Sequence, residues 1–121
     1  MARDSKERAE MQACFTRLAD RMREARSLRS GEIVMRLSGP GGGNFSLRCT
    51  GNDVDVSESV AAGTESRPLI ELIGDGETVR FMLDGERDAR EQFLAGSFRL
   101  RGDLRYASDL ALEMGLIDQP L

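Results

Sequence analysis

The segment from Gln92 to Met114 constrains the fold most, because it predicts a short strand that is followed at once by an apolar helix. Gly96 stops a short helix, and residues 97–101 then alternate between apolar and polar as a strand does. Asp103 follows as a good N-cap, because its carboxylate can accept the unsatisfied first-turn N–H groups. The apolar residues of this last helix recur at three- and four-residue spacing and share one face: Leu104, Ala107, Leu110, Ala111 and Met114. Strand and helix therefore enclose either a solid core or an apolar cavity.

The chain before this segment predicts one long helix and then a sheet. Residues 1–30 form a leading amphipathic unit, in which a helix over residues 4–28 has one apolar stripe. That stripe consists of Met11, Cys14, Phe15, Leu18, Met22 and Ala25. Alternating apolar and polar residues then predict an antiparallel meander with one wet face, so helices must cover the other face. The predicted strands of the meander span residues 32–37, 44–49 and 53–56, and a buried strand is predicted for residues 69–73.

Two short helices are predicted between the strand at residues 69–73 and the strand at residues 97–101. Asp75 is the N-cap of the first, Gly85 ends it, and the second covers residues 87–95. Residues 57–67 are small and polar, which predicts a loop. Because no linker is long enough to separate two domains, residues 1–121 are expected to form a single domain.

The charge is distributed unevenly along the chain. Residues 1–30 contain eight basic and five acidic side chains, whereas the remainder contains nine basic and sixteen acidic ones, which gives a net charge of −4. An acidic body of this kind argues against nucleic acid as a partner, since phosphate binding needs clustered Lys and Arg. The basic excess of the leading helix suggests a transient contact with an anionic membrane surface, although a solvated outer face is its commoner origin.

The residue types needed for catalysis or metal binding are missing. The chain has no His, and Cys14 and Cys49 are isolated, so a nucleophile lacks a base and a metal lacks clustered ligands. The glycine run at residues 39–43 joins two strands, which predicts a hairpin tip rather than a phosphate loop. The carboxylates of residues 84–91 alternate with Arg on solvated faces. We therefore expect no enzyme activity, no cofactor, no metal and no membrane span, in a reduced cytoplasmic protein.

Two motifs stand in a particular order along the chain. The hairpin reads SGPGG at residues 38–42, and the later run reads FLAG at residues 93–96 and FRLRGD at residues 98–103. A leading helix precedes both motifs, and an apolar helix follows them. In this order they resemble the sterol carrier protein 2 family of lipid-binding domains, over the chain from Gly31 to Met114.

The resemblance implies an α+β fold: a five-stranded, mostly antiparallel sheet with helices covering one face and an apolar tunnel under the C-terminal helix. It also implies a non-catalytic carrier for a lipid or fatty-acyl ligand. From that layout and the apolar faces, we expect these residues to border the tunnel: Phe81, Met82, Phe93, Phe98, Leu104, Leu110 and Met114. Arg99 or Arg101, both close to the final helix in sequence, is expected to hold a ligand carboxylate. The Arg-rich, Lys-poor composition is typical of bacterial proteins and favours an acyl ligand over a sterol.

The alternative is a small oligomerising or regulatory module of the same fold with a filled core. In that case the stripe of the leading helix would join two copies into a homodimer, through Met11, Phe15, Leu18 and Met22. The volume beneath the last helix separates the two hypotheses. A carrier needs an apolar void on the order of several hundred Å³, whereas a module has a close-packed interior.

Overall fold

The computed structural model describes residues 2–40, 42–58 and 68–121, with side chains described from Lys6 onward. These residues form four helices and five strands. In chain order they are α1 (Ala2–Arg23), β1 (Gly31–Ser38), β2 (Gly43–Thr50), β3 (Asp53–Glu58), β4 (Ile70–Asp75), α2 (Gly76–Leu83), α3 (Ala89–Leu94), β5 (Phe98–Gly102) and α4 (Leu104–Glu113). The predicted α+β class, the long leading helix and the five-stranded sheet are confirmed.

The strands form one mixed sheet in the order β3-β2-β1-β4-β5. Neighbouring strands are antiparallel except β1 and β4, which are parallel and therefore need a crossover connection. Residues 59–67 of that connection, and with them most of the loop predicted for residues 57–67, lie outside the described residues. Ser57 and Glu58 belong to β3. The parallel register places Met35 beside Leu72 on the face that the helices cover.

Helix α1 packs its apolar stripe onto the inner face of the sheet. Phe15 has no exposed surface, and its ring centroid lies 4.7 Å from that of Phe45 on β2. Met11, Leu18 and Met22 are also buried. The side chains that would have joined two copies in a homodimer therefore belong to the core of one chain.

The end of α1 differs from the prediction, because the helix stops at Arg23 rather than near residue 28. The backbone N–H groups of Arg26 and Ser27 both bond to the Glu113 carboxylate at the end of α4. An α-helix would direct those N–H groups to carbonyls of its own preceding turn. The chain leaves the helix here because a carboxylate that is distant in sequence takes these donors.

The outer face of the sheet is less uniformly wet than predicted. Val34 and Ser46 are directly paired across β1 and β2, and they are only 2% and 7% exposed. The Ser46 hydroxyl donates to Glu32 Oε1 at 2.5 Å, and Arg36 Nε pairs with Glu71 Oε2 at 2.7 Å. This face therefore contains a hydrogen-bonded and ion-paired cluster rather than separate solvated charges.

Three hydrogen bonds fix the start of α4 over the sheet. Asp103 is the N-cap, as predicted, and its Oδ1 accepts the Tyr106 N–H at 3.0 Å. Its Oδ2 pairs with the Arg29 guanidinium at 2.7 Å, and the Arg29 N–H donates to Tyr106 Oη at 3.0 Å. These contacts of Asp103 lower its pKa below the ordinary value. The hydrogen bond from the Tyr106 N–H is the largest cause, and the one from Arg29 is the second. The N-cap therefore also ties α4 to the segment that follows α1.

Gly102 is the residue that allows β5 to turn directly into α4. Its φ is +98°, and an added Cβ would collide with the Leu69 carbonyl oxygen. We expect Gly102→Ala to lower the free energy of unfolding by at least about 1–3 kcal/mol, the usual cost of such a strained conformation, measured by urea denaturation. Gly96→Ala is the matched control, because Gly96 has φ +79° but open space around the Cβ position. Equal losses in the two variants would contradict a role for the close approach to Leu69.

Candidate ligand cavity

A cavity of about 90 Å³ lies between the inner face of the sheet and the helices, with α4 along one side. Every side chain that lines it is apolar. The lining residues are Leu18, Met22, Ile33, Met35, Ile70, Leu72, Met82, Leu83, Ala89, Phe98, Leu100, Ala107, Leu110, Ala111, Met114, Leu116, Ile117 and Leu121. The arrangement suits a hydrocarbon and offers nothing to bind a polar group.

Strand register builds the floor of the cavity. Met35, Leu72 and Leu100 stand in one row across β1, β4 and β5, because each is paired with the next. Ile33 and Ile70 form a second row beside it. Alternate residues of a strand point to the same face, so both rows face the helices. The helices and the segment after α4 supply the opposite wall.

Methionine is unusually frequent in the lining. Four of the six Met residues of the chain contribute: Met22, Met35, Met82 and Met114. Unbranched Met has three rotatable bonds and a polarizable sulfur, so it can change its rotamer to accommodate another apolar group. The walls of the cavity are therefore adaptable, although its present volume is below the several hundred Å³ expected for a carrier.

Burial raises the pKa of three titratable side chains in the core, which favours their neutral forms. Burial, with the Asp84 charge as the second cause, raises the pKa of Cys14 to about 12. Burial likewise raises the pKa of Cys49 and of Tyr106.

In the described part of the chain, no cluster of three His, Cys, Asp or Glu side chains could hold a metal ion. Within the same residues, no helix is long and apolar enough to cross a membrane.

A second depression, here called the α3–α4 groove, adjoins the cavity and has a volume of about 360 Å³. Its lining residues are Phe93, Leu104, Arg105, Ser108, Asp109, Pro120 and Leu121. Leu121 lines both the groove and the cavity. The Leu121 N–H donates to Ser108 Oγ at 3.0 Å, and Arg90 Nε donates to the Pro120 carbonyl at 3.0 Å. These two hydrogen bonds hold the residues that separate the two spaces.

Six of the predicted site residues lie at these two spaces. Met82, Phe98, Leu110 and Met114 line the cavity. Phe93 and Leu104 line the α3–α4 groove instead, and Leu104 is 46% exposed. The rings of Phe93 and Phe98 are 5.7 Å apart, so an aromatic pair spans the wall between groove and cavity. The structure brings these residues together, and their contact with a ligand stays a prediction.

The other three predicted residues lie elsewhere. Phe81 is half-buried on the outside of α2, with the Arg80 and Arg87 guanidinium carbons 4.6 Å and 4.9 Å from its ring centroid. Arg99 and Arg101 are exposed on the outer face of the sheet, because they alternate with Phe98 and Leu100, which are directed inward. Arg101 pairs there with Glu71 at 3.7 Å. The sheet therefore separates both arginines from the cavity.

Sequence reasoning missed the contribution of the leading helix and the central strands to the lining. Leu18 and Met22 belong to the predicted helix stripe, and Ile33 and Met35 lie in a predicted strand, but none of the four was among the expected tunnel residues. The periodicity of these residues correctly indicated that they share a face directed towards the interior. It contains no information about which part of the core is left unfilled, since that depends on how the elements pack together.

Comparison with known proteins identifies the fold. No protein-family model and no curated protein matches the sequence. Among solved structures, UbiJ-SCP2, described as a ubiquinone synthesis protein, superposes with a TM-score of 0.63 at 14% identity, covering 88% of this chain and 93% of its own. Sterol carrier protein 2 like 2 from Aedes aegypti has a TM-score of 0.61 at 15% identity, with 88% and 94% covered.

A solution structure of palmitated SCP2L2 from Aedes aegypti is similar to the same extent. Its TM-score is 0.61 at 16% identity, covering 84% of this chain and 90% of that one. Identities this low establish the fold alone. The chain has the fold of sterol carrier protein 2, as its motifs predicted.

Proposed function

We propose, from the sterol carrier protein 2 fold and the wholly apolar cavity, that this protein binds a single-chain lipid such as a fatty acid or fatty-acyl group. The cavity carries the proposal, because each side chain that lines it is apolar. Removing an acyl chain from water is worth about 0.8 kcal/mol for each CH₂ group, so a long chain needs little polar help. The protein would shield that chain from water and deliver it unchanged.

The ligand enlarges the space that it occupies. A cavity of about 90 Å³ holds only part of a long acyl chain. The flexible Met side chains of the lining allow the remainder to be accommodated through rotamer changes. Release of Leu121 would join the cavity to the α3–α4 groove, at the cost of the hydrogen bond from its N–H to Ser108 Oγ, worth about 0.5–1.5 kcal/mol.

A role in carriage rather than catalysis follows from the chemistry of the lining. The cavity presents hydrocarbon and thioether groups, and neither can transfer a proton or attack a carbonyl at neutral pH. Cys14 and Cys49 are free and buried, which suits the reducing cytoplasm that we propose as the location.

Contact with a membrane through α1 is not part of the proposal. Several basic side chains of this helix and of the segment after it pair with groups of the same chain. Arg17 pairs with Asp84 at 2.8 Å, and Arg29 pairs with Asp103 at 2.7 Å. Arg23 bonds the Val54 carbonyl at 2.5 Å and Asp53 at 3.2 Å. These contacts direct the positive charge towards the protein's own acidic groups.

One observation favours the second candidate, a regulatory or interaction module. The cavity volume of about 90 Å³ is below that of ordinary ligand pockets, as expected for a nearly filled core. This module would act without a bound lipid. Because the α1 stripe is buried, it would use another surface to bind its partner.

Uptake of a fluorescent fatty acid separates the two candidates. The carrier is expected to bind the probe saturably at about one molecule per chain, and unlabelled fatty acids of increasing length should displace it with increasing affinity. The dependence on length follows from the area of hydrocarbon buried by each added CH₂ group. An absence of saturable uptake, in protein purified without detergent, would refute the carrier and favour the module.

A further inference from the structure

The α3–α4 groove has the two chemical parts of an amphiphile-binding site. Phe93, Leu104 and Leu121 give it apolar walls, and Arg105 places a guanidinium beside them. Its volume of about 360 Å³ is comparable to that of small-ligand sites, whereas the cavity alone is smaller. The groove is therefore a place for the part of a ligand that the cavity cannot contain.

The groove and the cavity are separated by few side chains. Leu121 lines both, and the Phe93–Phe98 ring pair spans the remaining wall, with Phe93 on the groove side and Phe98 on the cavity side. Displacement of Leu121 would remove the one side chain, among the described residues, that lines both spaces. A linear molecule could then lie with one end in the cavity and the other in the groove.

Arg105 is the basic residue in the groove lining. Among the described residues no acidic side chain pairs with it, whereas Arg101 pairs with Glu71 and Arg90 bonds the Pro120 carbonyl. It lies in the first turn of α4, where a positive charge does not help the helix dipole. The stability of the helix therefore gives no reason for Arg at this position.

We propose that the α3–α4 groove binds the carboxylate of a fatty acid at Arg105, while the acyl chain passes Leu121 into the cavity. The inference rests on the proposed carrier function and names the ligand class of that site. A planar guanidinium suits a carboxylate because its parallel N–H groups can donate to both oxygens. Arg105 takes the role that the sequence suggested for Arg99 or Arg101, which lie on the opposite face of the sheet.

Asp109 provides a second test of the proposed carboxylate site. It lines the same groove, one helical turn after Arg105, and it opposes an anionic head with its own charge. Removing the charge of Arg105 should therefore lower the affinity for a fatty acid, and removing the charge of Asp109 should raise it. The affinity for a ligand with a neutral head should not change in either variant, because such a head is neither attracted by Arg105 nor repelled by Asp109.

The test compares dodecanoic acid with dodecan-1-ol, two ligands with the same chain and different heads, as competitors of a fluorescent probe. Arg105→Gln should weaken binding of the acid about tenfold and leave binding of the alcohol unchanged. Asp109→Asn should tighten binding of the acid only. Arg99→Gln is the matched control and should change neither, because its side chain is on the outer face.

The results for the variants separate the carboxylate site at Arg105 from the carrier function. If Arg105→Gln leaves the acid-to-alcohol affinity ratio unchanged, or weakens both ligands equally, the carboxylate site is refuted while the carrier function stands. If Arg99→Gln has the same effect as Arg105→Gln, the charge acts at long range and the groove is not the site. If the wild-type protein binds neither ligand, the proposed function and this inference both fail.

Discussion

Replacing Phe15 by Ala is expected to remove about 3–5 kcal/mol from the free energy of unfolding, the usual cost of truncating a fully buried Phe. Phe15 is completely buried under α1, and its ring packs against that of Phe45 on β2 at 4.7 Å. Truncation leaves a cavity where the helix meets the sheet, and little can collapse into it. Urea denaturation measures the loss, which is a large fraction of the roughly 5–15 kcal/mol that stabilises a typical domain.

Phe81→Ala is the matched control for Phe15→Ala. Phe81 is half-buried between Arg80 and Arg87, so the variant loses two exposed cation–π contacts of about 0.5–1 kcal/mol each rather than core packing. Similar losses in the two variants would contradict the placement of α1. A Phe15→Glu variant that remains folded, and that changes from dimer to monomer, would instead restore the hypothesis of a helix-mediated homodimer.

Replacing Ala107 by Phe is expected to weaken lipid binding roughly 50-fold. Ala107 lies on α4, is 9% exposed and lines the cavity. A phenyl ring there would occupy much of the 90 Å³ and exclude about three CH₂ groups of a ligand. At about 0.8 kcal/mol each, their loss amounts to roughly 2.4 kcal/mol, and a tenfold change in affinity corresponds to about 1.4 kcal/mol. Titration with a fluorescent fatty acid measures the change.

Stability and a surface substitution control for indirect effects of Ala107→Phe. Overfilling a packed interior costs about 1–3 kcal/mol, so the variant should remain folded. Ala13→Phe makes the same substitution on the exposed side of α1 and should bind lipid like the wild type. If folded Ala107→Phe protein kept its full affinity, the ligand would lie outside this cavity.

Local patterns in the sequence were sufficient to predict most of the elements. The stripe from Met11 to Met22 faces the core, and Asp75 and Asp103 are the N-caps that their positions suggested. Such features depend on residues close together in the chain. The early end of α1 could not be predicted, because the Glu113 carboxylate that bonds Arg26 and Ser27 lies far away in sequence.

The candidate site was predicted less completely, for three separate reasons. The outward direction of Arg99 and Arg101 was already implied by the inward positions of Phe98 and Leu100, and closeness to α4 in sequence was the wrong criterion. Phe81 is adjacent to Met82 on a short helix, and only packing decides which of them is buried. Cavity volume depends on all the side chains together, so no local pattern contains it.

The methyl groups of methionine offer the most direct test that a lipid occupies this cavity. Met22, Met35, Met82 and Met114 line it, whereas buried Met11 lies outside it, with its Cε directed towards Gly76. Titration of ¹³C-methyl-labelled protein with a fatty acid, followed by NMR, should shift the four cavity signals and leave that of Met11 nearly unchanged. Uniform shifts, or shifts that spare the four cavity methyl groups, would contradict the account.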